Sequence, residues 1–529
     1  MARILVSETL SDRGLEAMAA AGHHVDVQTG LTPEQLEVAI AGAQALVVRS
    51  ATKVTPALLD AASDLIVVGR AGVGLDNVDV EAATERGVMV VNAPESNILS
   101  AAEHAMALLL AQARNIPQAH AALVAGRWER SKWEGVELHG KTLGIVGLGR
   151  IGALVAQRAH AFGMRLIAHD PYTSEDRAKK MGVALMSLDE LVAESDFLTI
   201  HLPKNPETAG LIGKEILAKA KVGIRIVNAA RGGVLDEEAL AEAIASGHVA
   251  GAALDVFSTE PCTSSPLFEL PGVVVTPHLG ASTEEAQDKA GEQIAEQIVL
   301  ALAGDFVPYA VNVAARSASE AVRPYLGLAE RLGDVLASLC DGLPDALEVI
   351  VEGALAGEDI GILTLAALKG VLAGGSDEPV SYVNAPRLAD QRGLTVRESS
   401  TATTLEYVSL VTLRSVHHSV SGTLAGRSAT ERIVMIDDHG VDLPFADNLL
   451  VVRNDDRAGM IGVVGTAVGE AGVSISSMAV GQTGGAASTA LMCLATDAPV
   501  PDDVIRLLRA SDGILDVHRV HGGSAARPR

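Results

Sequence analysis

The sequence predicts an α/β chain: two lobes built on parallel sheets, then an α+β domain, then a small domain of mixed strands and helices. Three observations carry this. Short apolar runs alternate with helical stretches through the first 310 residues or so, as parallel strands joined by crossover helices do. A glycine-rich turn stands between a strand-like and a helix-like stretch at 141–171. From 448 onward the pattern reads strand, helix, strand, strand, helix, strand, which is ferredoxin-like.

In order, "RILVSE" (3–8) reads as a strand, "SDRGLEAMAAAG" (11–22) as a helix and "HHVDVQ" as a strand. "TPEQLEVAIAGA" and "QALVVRS" (44–50) repeat the unit. The stretch 96–123 is Ala-rich and reads as one long helix leaving the first lobe; 283–304 reads as a second, leading back. The first lobe is therefore expected at 1–95 plus 285–312, and an inserted lobe at 96–284, with a cleft between them. An intervening domain is expected at 317–440: helix at 319–339, strand at 346–355, helix at 359–375, then extended and turn-rich chain. The last domain is expected at 449–523.

The 48% hydrophobic content is ample for packed cores, but with 2% aromatics those cores must be filled by Ala, Val, Leu and Ile. A net charge of −25 disfavours non-specific binding to nucleic acid or anionic membrane. An anionic substrate would need a local cationic pocket. The three cysteines are far apart, with neither metal-ligand nor disulfide spacing, which suits a reducing compartment. The start "MARILVSETL" lacks a signal-peptide pattern, and no apolar run is long enough to span a bilayer. A cytoplasmic protein without a bound metal is expected.

Gly147, Gly149 and Gly152 form G-x-G-x-x-G in "KTLGIVGLGRIG". The first permits a tight turn, the second lets backbone approach a pyrophosphate, and the third lets helix and strand pack closely. Asp170, near the end of the next strand, is placed for ribose hydroxyls; no Arg follows it immediately, so NAD is expected rather than NADP. The competing reading is a glycine-rich turn with no ligand. This is a Rossmann-type element.

Three polar residues each follow an apolar run downstream: Arg231 after "IRIVNAA", Glu260 after "GAALDVFST" and His278 after "GVVVTP". Strand C-termini meet at the ligand crevice of an open α/β sheet. An imidazole can take a hydroxyl proton, a carboxylate can orient it, and a guanidinium can clamp a substrate carboxylate. Alternatively Arg231 pairs with Asp236 or Glu237, Glu260 is a solvated turn residue, and His278 is structural.

"GLGRIG", "NAARGGVLDEEAL", "ALDVFSTEP" and "TPHLGAST", with "VVRSATKVT", "GRAGVGLDNVD" and "NAPESNILSAAEHAMAL", resemble the D-isomer-specific 2-hydroxyacid dehydrogenases. The whole chain is similar to the family's long form, with an intervening and a C-terminal ACT domain. The resemblance implies two Rossmann/flavodoxin-like lobes and NAD-dependent oxidation of 3-phosphoglycerate to 3-phosphohydroxypyruvate, which opens serine synthesis. It implies Arg231, Glu260 and His278 as the catalytic group. Cofactor contacts would fall on Val73, Gly147, Gly149, Arg150, Ile151, Gly152, Asp170, Leu202, Ala229, Ala230, Arg231, Asp255, His278, Leu279, Gly280 and Ala281. Arg49, Ser50, Gly72 and Asn97 would meet substrate, with Arg130 and Lys132 as further cations for its phosphate.

In the ACT domain, L-serine would be met by Asn454, Asp456 and Ser474, and a homodimer or homotetramer is implied. Ser474 stands where relatives often carry Asn and offers fewer hydrogen-bonding groups. Rival readings are a dehydrogenase for another 2-hydroxy acid, such as glyoxylate, D-lactate or 2-hydroxyglutarate, and a dinucleotide-sensing corepressor without turnover.

Overall fold

The computed structural model describes residues 1–313, 319–374, 380–404, 406–482 and 489–521. The expected start of the intervening domain at 317, the expected end of the last domain at 523 and the polar tail beyond lie outside the described residues.

The first lobe runs β1 (Arg3–Val6), α1 (Asp12–Ala20), β2 (His24–Val27), α2 (Pro33–Ala39), β3 (Ala45–Val48), α3 (Pro56–Asp60), β4 (Val67–Arg70), α4 (Val80–Glu85), β5 (Met89–Asn92). Its sheet is wholly parallel in the order β2-β1-β3-β4-β5, the flavodoxin-like order. Local chemistry sets the helix starts. Thr32 and Gln35 form a capping box with Pro33 just inside it, and Asp79 caps α4.

The expected long helix at 96–123 is two helices, α5 (Ile98–Ala113) and α6 (Ile116–Val124). Pro117 cannot donate to the carbonyl four residues back and clashes with it. Asn115, with φ 51°, makes the break in the left-handed conformation that Asn tolerates.

The second lobe continues β6 (Thr142–Val146), α7 (Arg150–Ala161), β7 (Arg165–His169), α8 (Glu175–Lys180), β8 (Ala184–Leu185), α9 (Leu188–Glu194), β9 (Phe197–Ile200), α10 (Lys214–Lys219), β10 (Ile224–Asn228), α11 (Glu237–Ala245), β11 (Val249–Leu254), β12 (Val273–Val275). These seven strands are parallel, ordered β12-β11-β10-β9-β6-β7-β8. The order reverses between β6 and β9, which opens a crevice at their C-terminal ends.

α12 (Glu284–Ala303) then returns to the first lobe. A Cβ on Gly69 of β4 would stand 2.9 Å from Ile294 and Ile298 of α12, and one on Gly14 of α1 2.8 Å from the Gly291 carbonyl oxygen. The helix lies hard against the first sheet. Where α5 and α12 begin, the Ser100 and Thr283 hydroxyls are 2.8 Å apart.

The third domain has α13 (Leu326–Leu339), β13 (Ala346–Gly353), α14 (Gly361–Gly374), α15 (Ala385–Gln391), β14 (Thr395–Thr401), β15 (Ser409–Arg414), β16 (Ser419–Ala425), β17 (Thr430–Ile436), β18 (His439–Pro444). The sheet order is β14-β13-β15-β16-β17-β18, parallel only between β13 and β14. The stretch expected as merely extended and turn-rich thus holds a helix and five strands. α13 and α14 pack backbone to backbone: a Cβ on Gly370 would stand 1.9 Å from the Glu330 carbonyl oxygen.

The last domain has β19 (Asn448–Asn454), α16 (Met460–Glu470), β20 (Ile475–Gln482), β21 (Ala490–Thr496), α17 (Asp502–Arg509), β22 (Ile514–His521), with an antiparallel sheet ordered β20-β21-β19-β22. One face carries α16 and α17 over Leu450, Val452, Met492 and Leu494. The other, with Leu449, Val451, Leu491 and Cys493, joins the core that holds α13. No helix among the described residues is long and apolar enough to cross a membrane, and no group of side chains there is arranged for a metal ion.

Candidate active site

β10, β11 and β12 are neighbours, and Asn228, Leu254 and Val275 share one register line at their ends. Strands lie ~4.8 Å apart, so the residues that follow each strand meet at one rim.

After β10, buried Asn228 folds back over the turn. Its Oδ1 accepts from the Ala230 N–H at 3.1 Å and its Nδ2 donates to the Arg231 carbonyl at 3.0 Å. Gly232 closes the turn, where a Cβ would stand 1.8 Å from the Phe257 carbonyl oxygen. Arg231 does not pair with Asp236 or Glu237. Asp236 caps α11, and Glu237 accepts from the Ser258 N–H. The nearest carboxylate is Asp76 of the first lobe, with Oδ2 3.8 Å from Arg231 Nε and a side chain 72% exposed. That contact is loose and solvated, and it crosses the cleft.

After β11, Glu260 accepts from the Phe257 N–H at 2.9 Å through Oε1, and its Oε2 lies 2.7 Å from His278 Nδ1. A carboxylate on Nδ1 makes that nitrogen the donor and leaves the Nε2 lone pair free to take a proton. His278, with φ +57°, is held by its N–H donating to the Asp255 carbonyl at 2.8 Å.

Asp255 follows β11 directly. Its carboxylate is fully covered and accepts from Thr276 Oγ1 at 2.6 Å, the Leu279 N–H at 2.7 Å and the Gly280 N–H at 2.8 Å; His104 Nε2 stands at 3.1 Å. Burial alone would raise its pKa. The hydrogen bonds from His104, Thr276 and Leu279 outweigh that and hold it below the ordinary carboxylate range. This side chain organises the loop that carries His278.

The facing rim of the first lobe is cationic. Arg70 ends β4, and its buried Nε has no hydrogen-bond partner. Burial lowers its pKa from the usual guanidinium value, and the nearby charges of Arg231 and Arg49 add to that, against Asp76 and Glu8. Gly72 passes so close that a Cβ would stand 1.8 Å from Arg70 Nη1. Arg49 donates to Glu8 through its N–H and to the Thr9 carbonyl through Nη1. Ser50 adjoins Arg49 in the chain, and Asn97 at the start of α5 has a buried Oδ1 without a partner. Arg70 was missed, although it shows the feature that marks Arg231: a guanidinium where an apolar strand ends.

The glycines of the fingerprint divide by role. A Cβ on Gly147 (φ +93°) would stand 2.7 Å from the His201 carbonyl oxygen and 2.8 Å from Leu202, and one on Gly152 2.1 Å from the Gly147 carbonyl oxygen. A Cβ on Gly149 would meet nothing within 4 Å. The fold needs two of these glycines, and leaves open space over the third, where α7 begins without a side-chain cap. That suits a pyrophosphate on the helix N-terminus.

Asp170 Oδ2 accepts from the Leu148 N–H at 2.7 Å, tying β7 to the glycine loop, while Oδ1 takes the Tyr172 and Thr173 N–H groups. Arg150 reaches Glu95 at 2.8 Å, and Ile151 packs against the second-lobe core. Val73, Ala229, Ala230, Leu279, Gly280 and Ala281 fall on the loops at this rim, Gly280 buried and Leu279 exposed. Gly152→Ala is expected to destabilise the fold by about 1–3 kcal/mol through overpacking. Gly149→Ala is expected to keep the melting temperature but weaken NADH binding about tenfold. Thermal unfolding and an NADH fluorescence titration check the pair.

Residues 106–280 match the D-isomer specific 2-hydroxyacid dehydrogenase NAD binding domain, 321–437 the D-3-phosphoglycerate dehydrogenase intervening domain, and 448–513 the ACT domain. D-3-phosphoglycerate dehydrogenase of Mycobacterium tuberculosis (strain ATCC 25618 / H37Rv) is 50% identical over 516 residues, covering 96% of this chain and 97% of that protein. The chain belongs to the D-3-phosphoglycerate dehydrogenase family. Its relative of the same name in Methanocaldococcus jannaschii is 42% identical over 524 residues, 98% of this chain and 99% of that protein. Among solved structures, the NAD-dependent formate dehydrogenase of Staphylococcus aureus in complex with NAD superposes with a TM-score of 0.51 at 32% identity, covering 57% of this chain and 95% of that one.

Two expected groupings of this family member fail within one chain. Arg130 and Lys132 sit in a short 3-10 turn (Arg130–Trp133), tied to the far end of α5 by Asn115 Nδ2 donating to the Glu134 carbonyl and the Val136 N–H to the Ala113 carbonyl. α5 has 16 residues, about 24 Å at 1.5 Å per residue, so these cations lie away from the rim at Asn97. Lys132 instead stacks on Trp133 and faces Glu129.

The ACT positions are also apart. Buried Asn454 shapes its own loop, donating to the Ala490 carbonyl and accepting from the Asp456 N–H, and Asp456 takes Gln482. Ser474 bonds Asp497. Asn454 pairs with Ala490 and Asn448 with Thr496, beside Asp497, so Ser474 is at the opposite end of the sheet, about 20 Å away at ~3.3 Å per residue.

Proposed function

We propose that the chain oxidises 3-phospho-D-glycerate to 3-phosphohydroxypyruvate with NAD, the step that opens L-serine synthesis. The observation that supports it most is the His278–Glu260 pair at 2.7 Å, on a rim shared with Arg231 and facing Arg70 and Arg49.

Gly149 and the α7 N-terminus, in the turn that Gly147 and Gly152 allow, would hold the dinucleotide, with Asp170 at its ribose. Bound NAD supplies the hydride acceptor. His278 Nε2 takes the substrate hydroxyl proton, and Glu260 stabilises the imidazolium that results. Arg231 exchanges its loose contact with Asp76 for the substrate carboxylate, gripped by two parallel hydrogen bonds. Arg70 and Arg49, with Ser50, Gly72 and Asn97, receive the phosphorylated end. Two cationic stations suit a small molecule with two anionic groups in a chain of net charge −25. The intact His278–Glu260 pair speaks against a corepressor without turnover.

The ACT domain is read as regulatory. Because Asn454 and Ser474 stand at opposite ends of its sheet, a serine touching both requires two copies of the chain. The three unpaired cysteines accord with a cytoplasmic setting.

A steady-state assay of phosphohydroxypyruvate with NADH, run beside glyoxylate, pyruvate and 2-oxoglutarate and repeated with L-serine, tests this. The phosphorylated acid should lead in kcat/KM by at least about 100-fold, roughly 2.7 kcal/mol. Equal rates with unphosphorylated acids would overturn the substrate, and no response to serine would leave the ACT domain as an assembly module.

A further inference from the structure

We propose that His104 is a positioning residue for His278, acting through Asp255 and Thr276. This rests on the reading of His278 as the proton acceptor. His278 holds φ +57°, a left-handed conformation that is costly for a residue with a Cβ and persists only where its surroundings over-determine it.

The determining group is Asp255. Three successive amides converge on it: His278 N–H on its carbonyl, Leu279 N–H on Oδ1 and Gly280 N–H on Oδ2. The carboxylate can hold the last two only while it is ionised and correctly turned, and it is fully covered. A covered carboxylate keeps its charge by being surrounded with donors. Two remain: Thr276 Oγ1 at 2.6 Å and His104 Nε2 at 3.1 Å. His104 Nε2 also lies 3.2 Å from Thr276 Oγ1, so the three side chains close a small ring.

Of the donors to Asp255, His104 alone comes from outside the 276–280 loop. It stands on α5, one turn beyond Ser100, whose hydroxyl meets Thr283 on the other side of the loop. The segment carrying the proton acceptor is thereby tied to the helix that joins the lobes at two successive turns. Without His104, the carboxylate loses a donor and turns or takes a proton. The Leu279 and Gly280 amides lose their acceptor, and His278 relaxes from φ +57°, moving its ring off Glu260. Nothing in this chain of events changes the cationic rim or the Gly149 cradle. The loss should therefore fall on turnover and spare binding.

The test uses the full chain with phosphohydroxypyruvate and NADH, with kcat expressed per NADH-binding site. His104→Leu keeps bulk without a donor, and kcat should fall roughly 10–100-fold, with KM for phosphohydroxypyruvate and the NADH Kd essentially unmoved. His104→Gln can return an N–H to the same place and should recover most of the loss; a merely structural histidine would show neither the split nor the rescue. Wild-type kcat in folded His104→Leu overturns the proposal. If that variant does not fold, Thr276→Val decides: a kcat-selective loss supports the proposal, and wild-type kcat rejects it. Failure of the wild-type chain to reduce phosphohydroxypyruvate would instead strike the functional reading, and is seen separately in the control.

Discussion

Replacing His278 with alanine will lower kcat by roughly 10²–10⁴-fold, the usual contribution of a positioned general base, while NADH binds as before. The imidazole is the group at the rim with a proton-accepting nitrogen oriented by a carboxylate, Glu260 at 2.7 Å. Its side chain is 47% exposed, so little core packing is lost with it. The substitution leaves the strained φ in place, since alanine keeps a Cβ and the constraint on the loop comes from Asp255 and not from the ring. Melting temperature should change little. Stopped-flow turnover with a parallel NADH fluorescence titration checks both halves; turnover within tenfold of wild type would move the proton acceptor elsewhere.

Arg231→Lys will cost roughly 2–5 kcal/mol in kcat/KM, the range for breaking a hydrogen-bonded charge pair, although the charge is kept. The reason is shape. A guanidinium offers two parallel N–H groups to a carboxylate, and an ammonium offers a point. The backbone around position 231 is set chiefly by Asn228 and Gly232; the side chain adds one bond, Nη1 donating to the Ala230 carbonyl at 2.7 Å, which a lysine ammonium can replace. The fold should therefore be intact, and the loss should appear with phosphohydroxypyruvate but not in NADH affinity. Steady-state kinetics over a full substrate range separates the two. An unchanged kcat/KM would mean that the carboxylate is held by Arg70 or Arg49.

What could be read in the sequence was what is encoded locally. Strand–helix alternation and the glycine spacing depend on neighbours a few residues away, and Arg231, Glu260 and His278 each announce themselves by ending an apolar run. The break between α5 and α6 was legible in Pro117 and Asn115, but an Ala-rich composition masked it. Of the strands of the third domain, β13 was legible from its alternation, but β14 was not, because it is exposed along nearly its whole length and lacks alternation. The contact of His104 with Asp255 was missed because it joins residues far apart in the chain, on a helix and a loop that only the folded sheet brings together. Arg130, Lys132, Asn454 and Ser474 look like site residues one at a time, yet nothing local in the chain records how far helix and strand lengths carry them apart.

The nucleotide lobe is inserted into the other lobe and not merely appended to it, leaving at α5 and returning at α12, with the two departures linked where Ser100 meets Thr283. A body hung on a single strand can twist about it in any direction. One hung on two can only swing, like a door on its hinges, about the line through both. Any opening and shutting of the cleft would thereby be reduced to a single degree of freedom, and a closure would return the guanidinium and imidazole of one lobe to the same place against the cations of the other.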